Sequence, residues 1–399
     1  MLLSGLSPTS GHKILLTSRS GQLGGMELRL ADIAGLLAKG GHIPLLGLSP
    51  FPGRDLWLDR VLTENPTFSR FEFDPPPFFE EWAWRRRNLA LARTFWVPKL
   101  RHAGIGLAHI FYAWTFEGGT RLWLCHKAGI PSVLSIHNAF PNVQLTPWHE
   151  RLTRESFVSI RGLYAVSQSA LDHFISIYGA YLRDKTATQV IPNAVDVSRF
   201  IPSPDIRHQT RFELSIPQNA KVIGSIGRID EQKEPFHVLK VFECLWRCRQ
   251  DIFLLFCGQG PLEAMVRAEV ASKPWGDRVR FLGFRKDVDR VFPALDVHLL
   301  LSRQEGFGTS TVEAMACGIP VVATNVPGTR DILSGCKAGR LVAYKDIEGA
   351  AVLVNVFLDS FEMQFATGQI ARQIAVNHYS KEMWARRIER FYSEVSNLR

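Results

Sequence analysis

The chain has 399 residues, which is too long for one ordinary hydrophobic core, so two domains of roughly 200 residues each are expected. A hydrophobic content of 46% with 21% charged residues is typical of a soluble globular protein. No apolar run approaches the ~20 residues that a membrane-spanning helix needs, which excludes an integral membrane protein of that type. The net charge of +9 indicates anionic partners, such as phosphates, a membrane surface or nucleic acid.

The first residues and the cysteines both indicate a cytoplasmic protein. The opening MLLSGLSPTSGHK lacks a basic stretch followed by a long apolar core, so residues 1–12 are predicted to be a short tail and no signal peptide. The six cysteines form no C-x-x-C pair and lie in mostly apolar surroundings. This pattern favours buried free thiols over zinc ligands or disulfides, and hence a reducing compartment.

Short apolar runs alternate with helical patterns in the first half of the chain. A buried strand over 13–18 is followed by a tight loop, GQLGG, and by a helix that stops at Gly40 and Gly41. Further strands are predicted over 43–48, 107–113, 131–137, 162–167 and 188–193. Strands that alternate with helices predict a parallel sheet covered on both faces.

The segment from Pro192 to Lys221 interrupts this alternation with four prolines, and a domain boundary is predicted there. A second series of strands is predicted over 221–229, 251–260, 278–284, 296–302, 319–324 and 339–344, before a final amphipathic helix. The predicted organisation is a first domain over 1–195, a linker over 196–220, a second domain over 221–375 and a terminal helix over 376–399. Ligands of such sheets bind at the carboxyl ends of the strands.

The stretch EGFGTSTVEAMACGIPVVAT (305–324) joins one of these strand ends to a helix and then to the next strand. Ser310 and Glu313 have the spacing of a capping box, so a helix is predicted to begin there. Taken alone, an S-x-x-E pattern is most often a helix cap and no more.

The surroundings of this cap indicate a ligand site. Gly306 and Gly308 remove side chains where the backbone must approach another group closely. Amides at a helix start suit a phosphate, whereas the acid Glu313 one turn inside suits the diol of a ribose. Glu305 could bond sugar hydroxyls, so one loop could hold a sugar, a diphosphate and a ribose in order.

The same stretch resembles the signature of the retaining glycosyltransferases of family four, also described as glycosyl transferases group 1. Four other motifs follow the order found in that family: GGMELRLADIAGLLAKGGH, SIHNA, VIPNAVDVSRF and GRIDEQKEP. The resemblance covers nearly the whole chain. It implies the α/β fold called GT-B, with two facing Rossmann-like domains, parallel sheets and a C-terminal helix that returns to the first domain.

The resemblance also implies which residues act. The implied catalytic residues are His137, Arg228, Lys233 and Glu305. The implied donor-binding residues are Gly24, Gly25, Gly306, Phe307, Gly308, Thr309, Ser310 and Glu313. In these roles Arg228 and Lys233 would clamp the diphosphate, Glu305 and His137 would lie beside the donor sugar, and Glu313 would bind the ribose. Gly24 and Gly25 would let their loop close on the phosphates and the acceptor.

Three departures from the family pattern concern the sugar and acceptor. Thr309, Ser310 and Thr311 stand where the family often has aliphatic residues. Asn138 replaces the aspartate that commonly follows the histidine, and Glu234 replaces the glycine that often follows the lysine. No departure removes a charged residue that the chemistry needs.

The implied reaction transfers a sugar from a nucleoside-diphosphate sugar, with a UDP-sugar favoured over a GDP-sugar, to a hydroxyl group. The expected acceptor is a lipid-linked or cell-envelope glycan precursor, and neither a metal nor another cofactor is expected. A same-face displacement would retain the anomeric configuration. Alternatives are a transferase for a small soluble acceptor, a non-hydrolysing nucleotide-sugar epimerase, and a binding module without activity.

Three further features allow a plainer interpretation. Asp287 and Asp289 form a D-x-D that holds metal in another glycosyltransferase fold, but here they open a predicted helix, where acids are expected. Glu27 is interpreted as a first-turn helix acid rather than a ligand. The glycines of CGQG (257–260) indicate a tight turn.

The stretch WAWRRRNLALARTFWVPKLR (82–101) has six basic residues, three tryptophans and no acid. One interpretation is a solvated helix face with aromatic side chains that point into the core. The interpretation we favour is a patch that binds an anionic membrane surface, on the inner face of the cytoplasmic membrane. Nucleic acid is disfavoured because no recognised binding motif accompanies the charge.

Overall fold

The computed structural model describes residues 11–19, 24–139 and 143–397. Residues 21–23 of the predicted GQLGG loop and most of the predicted tail lie outside this part. The chain divides into two compact units, one of Met1–Pro192 with Trp384–Arg399 and the other of Asn193–Met383. Each unit is built around its own sheet, in which every pair of neighbouring strands is parallel.

The first unit contains a seven-stranded sheet with the order β3-β2-β1-β4-β5-β6-β7. Its strands are β1 Lys13–Ser18, β2 Ile43–Leu48, β3 Ser69–Arg70, β4 Ile105–Tyr112, β5 Ser132–Ile136, β6 Ile160–Ala165 and β7 Ala187–Val190. Its helices are α1 Gly25–Lys39, α2 Arg54–Glu64, α3 Arg85–Leu91, α4 Val97–His102, α5 Gly119–Ala128, α6 Pro147–Ser156 and α7 Gln168–Tyr178. A π-helical segment, Ala92–Trp96, joins α3 to α4.

The second unit contains a six-stranded sheet with the order β10-β9-β8-β11-β12-β13. Its strands are β8 Lys221–Ile226, β9 Ile252–Cys257, β10 Val279–Phe281, β11 Val297–Leu300, β12 Val321–Thr324 and β13 Gly339–Val342. Its helices are α8 Pro204–Glu213, α9 Pro235–Trp246, α10 Glu263–Ala271, α11 Val288–Val291, α12 Thr309–Ala316, α13 Pro327–Leu333, α14 Ile347–Asp359 and α15 Phe361–Tyr379. The last helix, α16 Lys381–Asn397, leads from this unit back to the first.

The strands are apolar because helices cover both faces of each sheet. All six side chains of β9, IFLLFC, are buried, as are five of the six in both β1 and β2. The predicted parallel sheets are therefore confirmed. The two-residue strand β3 was not predicted, because a strand of that length leaves no periodic pattern.

The C-terminal helix packs on the first sheet, as the fold class predicts. The Tyr392 hydroxyl lies 2.7 Å from Nδ1 of the buried His109 on β4. The Phe391 ring meets the Tyr164 ring edge to face at 5.3 Å. A Cβ atom on Gly162 would lie 2.6 Å from Val395, so the glycine permits this close approach.

The segment 196–220, predicted as a linker, contains helix α8 and lies within the second unit. The fully buried Arg211 of α8 donates from Nη2 to Asp296 at 2.8 Å, and Arg207 binds the other oxygen of that carboxylate at 2.7 Å. A buried carboxylate shared by two arginines holds α8 firmly, because separation would leave a buried charge without a partner. One proline of this segment marks the start of that helix, since Pro204 is its first residue.

Candidate active site

The loop after β8 carries the predicted phosphate-binding cations. Gly227 has φ +152, and the loop continues through Arg228 to Lys233 before α9 begins. A Cβ atom on Gly258 would overlap the carbonyl oxygen of Gly227, and one on Gly260 would overlap that of Ile229. The two glycines of CGQG therefore do more than form a tight turn, because they let the β9 loop press against the backbone of this loop.

Lys233 and Glu305 form an ion pair between the Nζ and Oε1 atoms. The side chain of Glu305 is only 7% exposed, and that of Lys233 is 18% exposed. The Ser302 hydroxyl donates to the same Oε1 atom at 2.6 Å. Two predicted catalytic residues, 72 positions apart in the sequence, are thus in direct contact at the carboxyl edge of the second sheet.

Arg228 lies at the same edge but is more accessible. Its side chain is 46% exposed, and Nη2 lies 3.1 Å from Asp230 and 3.0 Å from the amide oxygen of Gln232. Gln232 also joins the two loops, because its side-chain nitrogen donates to the Gln304 carbonyl at 2.9 Å. The main-chain NH of Arg303 in turn donates to the Gln232 carbonyl at 2.8 Å.

Helix α12 begins at Thr309 with Gly308 as its N-cap, at φ +89. The predicted capping box on Ser310 and Glu313 is therefore wrong, although the prediction of a helix in this stretch is right. Glycine tolerates a left-handed conformation that would strain other residues. The Ser310 hydroxyl is directed elsewhere, towards Nε2 of His298 at 3.3 Å.

His298 fixes the direction of that hydroxyl. Its Nδ1 atom lies 3.0 Å from the Gly224 carbonyl oxygen, and burial lowers its pKa to about 4, so the ring is neutral at pH 7. A neutral ring that donates from Nδ1 accepts at Nε2. Ser310 must then donate its proton to His298, which leaves its oxygen as an acceptor.

The rest of the predicted loop is closely packed. The Phe307 ring is buried and meets the Tyr379 ring at 5.8 Å. A Cβ atom on Gly328, near the start of α13, would lie 2.6 Å from the Phe307 nitrogen, and the Gly328 NH donates to the Glu305 carbonyl at 3.1 Å. Gly306 lies between these contacts and is partly buried. Sequence reasoning missed Gly328, whose role shows only in this contact.

Glu313 is partly buried one turn inside α12. The hydrogen bond from Arg199 to Asp289 raises the pKa of the Arg199 guanidinium, and the nearby Glu313 carboxylate adds a smaller effect in the same direction. Asp289 thus belongs to an ion pair with Arg199, and Asp287 binds Arg285 at 2.6 Å. Both carboxylates of the D-x-D are engaged by arginines, in agreement with the plainer interpretation of that pattern.

The first unit brings its own predicted residues to the carboxyl edge of its sheet. The Gly24 NH donates to the carboxylate of the buried Glu27 at 2.9 Å, so Glu27 closes the start of α1, where Gly25 is the first residue. His137 follows β5, stacks on Phe111 at 5.5 Å and lies 3.1 Å from the Ser135 hydroxyl through Nε2. Burial lowers the pKa of His137 to about 3, with a smaller contribution from the positive charge of Arg29 on α1. The ring is therefore neutral at pH 7.

Sequence reasoning missed a charged cluster at this edge. Arg121 of α5 is completely buried and donates to Thr17 at 2.9 Å and to Ser49 at 2.7 Å, while Asp74 lies 4.0 Å away. Burial raises the pKa of the nearby Glu117 to about 7, with opposing contributions from surrounding arginines and glutamates. Among the described residues none hydrogen-bonds to the Glu117 carboxylate. These five residues come from four separate segments, which explains why no motif marks them.

The cysteine prediction is only partly right. Cys125, Cys257 and Cys317 are buried, whereas Cys244 and Cys336 are partly buried and Cys248 is exposed. All six are free thiols. Among the described helices none combines the length and hydropathy of a membrane span.

Two parallel Rossmann-like sheets, with basic and acidic residues at the edge of the second, define the GT-B class of glycosyltransferases. The family model described as glycosyl transferases group 1 matches residues 206–374, and the one described as glycosyltransferase family 4 matches residues 23–199. The chain therefore belongs to family four of the glycosyltransferases, as its motifs indicate.

Similar proteins include the D-inositol 3-phosphate glycosyltransferase of Corynebacterium jeikeium, at 34% identity over 52% of this chain and 52% of that protein. The lipopolysaccharide core biosynthesis mannosyltransferase LpsB of Rhizobium meliloti is 28% identical over 52% of this chain and 60% of its own length. The chain thus aligns with half to three fifths of each of these two relatives. The crystal structure of Anabaena Alr3699/HepE in complex with UDP and glucose shares the fold, with a TM-score of 0.73 and 22% identity over 95% of this chain and 98% of that one.

Proposed function

We propose that this protein is a retaining, hexosyltransferase-type glycosyltransferase that moves a sugar from a nucleoside-diphosphate sugar to an acceptor hydroxyl. The observation that carries the proposal is the meeting of Arg228, Lys233, Glu305 and the start of α12 at one sheet edge. Cations and helix-start amides suit a diphosphate, and a carboxylate beside them suits sugar hydroxyls. UDP is the proposed nucleotide, supported by the structural neighbour that binds UDP and glucose.

The chemistry follows from the charge that grows on the departing diphosphate. Arg228 and Lys233 stabilise this charge together with the amides near Gly308, so the mechanism needs no metal ion. The Glu305 carboxylate accepts a hydrogen bond from the buried Ser302 hydroxyl, which lowers its nucleophilicity and orients it as a hydrogen-bond acceptor for the sugar. We therefore propose same-face displacement, in which the leaving diphosphate helps to take the proton of the acceptor, rather than a covalent intermediate on Glu305.

The acceptor is proposed to bind the first unit, beside His137 and the charged cluster of Arg121 and Glu117. A lipid-linked or cell-envelope glycan precursor is supported by the similarity to a lipopolysaccharide core mannosyltransferase. A small phosphorylated acceptor is the second candidate, favoured by the similarity to an inositol 3-phosphate glycosyltransferase. The positively charged chain suits either one.

The donor is tested by thermal unfolding with UDP, GDP, ADP and CDP and with their common sugars. A ligand at about 100 times its dissociation constant adds about 2.7 kcal/mol, or a shift of several degrees in a domain of this size. We expect UDP and one UDP-sugar to stand out, and Glu313→Ala to abolish the shift. The exposed Glu348, changed to alanine, serves as the matched control. No shift with any nucleotide would overturn the proposal.

Association with a membrane is proposed for the surface around Trp82 and Trp84, which are 69% and 72% exposed. Arg86 and Arg87 are exposed beside them, whereas Arg85 is partly buried and stacks on Trp82 at 3.4 Å. Exposed indole rings next to exposed guanidinium groups suit an anionic headgroup layer. The same chain segment buries Leu89, Ala92, Val97 and Leu100, so one side of it serves the core.

Liposome co-sedimentation tests this surface with vesicles of phosphatidylcholine alone and with added phosphatidylglycerol. We expect binding to the anionic vesicles only, and loss of binding in a variant that combines Trp82→Ser, Trp84→Ser, Arg86→Gln and Arg87→Gln. The control combines Phe212→Ser with Arg247→Gln, an exposed aromatic and an exposed cation elsewhere. Equal pelleting of the protein and both variants would contradict a role for this patch.

A further inference from the structure

The carboxylate of Glu305 has two partners that serve different purposes. Lys233 Nζ and the Ser302 hydroxyl both bind Oε1, the latter at 2.6 Å. Ser302 is completely buried just after strand β11, whereas Lys233 remains partly accessible. The hydroxyl is therefore a fixed partner, while the ammonium group stands on a flexible side chain that can move.

The proposed function requires Lys233 to make a second contact, with the diphosphate of the donor. A diphosphate carries more charge than a single carboxylate, so it attracts the ammonium group strongly. When Lys233 turns towards the diphosphate, the nearly buried Glu305 loses all or part of its compensating charge. A buried carboxylate without a partner is unstable and tends to move or to take up a proton.

The backbone of the two loops stays in place during such an exchange. Gln232 binds the Gln304 carbonyl at 2.9 Å and accepts from the Arg303 NH at 2.8 Å, so the loops are joined independently of Lys233. The Glu305 carbonyl is bound by the Gly328 NH at 3.1 Å. Only side chains need to change partner.

We propose that Ser302 is a positioning residue, which holds the Glu305 carboxylate ready for the donor sugar when Lys233 moves from Glu305 to the diphosphate. This inference rests on the proposed function. It assigns a role to a residue that carries no charge and is completely buried. In this role Ser302 acts on recognition of the sugar and not on recognition of the nucleotide.

The test compares affinities for UDP and UDP-glucose by isothermal titration calorimetry, with another pair of nucleotide and nucleotide sugar if the thermal panel selects it. In Ser302→Ala we expect UDP to bind within about twofold of the unmodified protein. The affinity for UDP-glucose should fall about tenfold, the usual effect of losing a hydrogen bond to a charged group. The kcat of transfer should fall by a similar factor.

Two further variants make the result specific. Thr324→Val removes another buried hydroxyl from the same sheet edge, one that lies 3.4 Å from the Leu300 carbonyl, and should leave the ratio of the two affinities unchanged. Ser302→Cys keeps the branching of the side chain with a larger and weakly donating atom, so it should give a smaller change in the same direction. It also provides the measurement if Ser302→Ala does not fold.

Equal losses for UDP and UDP-glucose in the Ser302 variants would overturn the positioning role and leave the proposed function intact. Unchanged affinities for both ligands would overturn it as well. If the unmodified protein bound neither ligand nor any other nucleotide, the proposed function itself would fail, and this inference with it.

Discussion

The carboxyl edges of the two sheets differ in how they hold their charged groups. At the edge of the second sheet, two neighbouring loops supply the charges, and the carboxylate of Glu305 is matched directly by Lys233. At the edge of the first sheet, Arg121 is completely buried and donates to two neutral hydroxyl groups, with the Asp74 carboxylate 4.0 Å away. Glu117 has a raised pKa there and receives no hydrogen bond from a described residue.

This difference suggests that the two edges are built for different tasks. Paired charges on fixed loops form a preorganised site, which suits the same diphosphate group in every catalytic cycle. Groups whose pKa values are strongly perturbed by burial cluster at functional sites, so the first edge fits the proposed acceptor site. Variants on each side test this contrast.

The largest effect is expected from Lys233→Ala at the edge of the second sheet. Loss of the ammonium group removes a stabiliser of the leaving diphosphate, so transfer should slow by about a hundredfold or more. Initial rates with the donor that the thermal panel selects provide the measurement. Lys240→Ala changes an exposed lysine on α9 and should keep full activity. Near-normal turnover of Lys233→Ala would refute its role.

Gly258→Ala should disturb the same edge through the backbone alone. A Cβ atom would overlap the Gly227 carbonyl oxygen, and the residue has φ +143, so we expect a loss of about 2 kcal/mol in unfolding free energy. Urea unfolding measures this loss, and donor binding should weaken with it. Gly35→Ala, at a helical position with open space, should not destabilise the protein. An unchanged unfolding free energy of Gly258→Ala would mean that the loop containing Gly227 can shift freely.

The first edge is tested by the pH dependence of stability. Burial raises the pKa of Glu117 from 4.5 to about 7 in the folded protein. Its contribution to stability is therefore fully present below pH 4.5 and is lost as the pH rises through about 7. Because solvent screens this half-buried group, we expect a loss of about 1 kcal/mol, or a few degrees, between pH 5 and pH 8.

Differential scanning fluorimetry of Glu117→Gln at both pH values isolates the contribution of Glu117 to the pH dependence of stability. The variant should lose less stability than the unmodified protein over that range. Glu64→Gln, which alters an exposed glutamate of the same unit, should follow the unmodified protein. Parallel pH curves for all three proteins would show that Glu117 ionises like an ordinary surface acid.

The smallest effect concerns Glu234, which stands where the family often has glycine. Its φ is +49, and its carboxylate binds the Tyr344 hydroxyl and lies 3.5 Å from His237. Glu234→Gly relieves the strain but loses these contacts, so the unfolding free energy should stay within about 1 kcal/mol. Glu234→Ala loses the contacts and keeps the strain, so it should be less stable than the glycine variant by about 1 kcal/mol. Equal unfolding free energies of Glu234→Gly and Glu234→Ala in urea would mean that this turn is not strained.

Local sequence patterns predicted the two parallel sheets and the positions along the chain of nearly all their strands. Continuous apolar runs and regularly placed helix signals are local patterns, so they can be read directly. The loop GRIDEQKEP (227–235) and the loop EGFG (305–308) could also be predicted from the sequence, because each is a short contiguous motif at a strand end. The charged residues of these two loops predict a phosphate and a sugar ligand without knowledge of any tertiary contact.

The contacts that hold these residues in place depend on the tertiary structure. The capping box failed because His298, twelve positions before Ser310, binds that hydroxyl, and Gly308 takes the cap position instead. Ser302 and Gly328 acquire a role only through contacts with the loop that contains Glu305. The cluster around Arg121 joins residues up to 104 positions apart, and no local pattern records a contact over that distance. Burial then sets their pKa values, because desolvation depends on everything packed around a group and not on its neighbours in the chain.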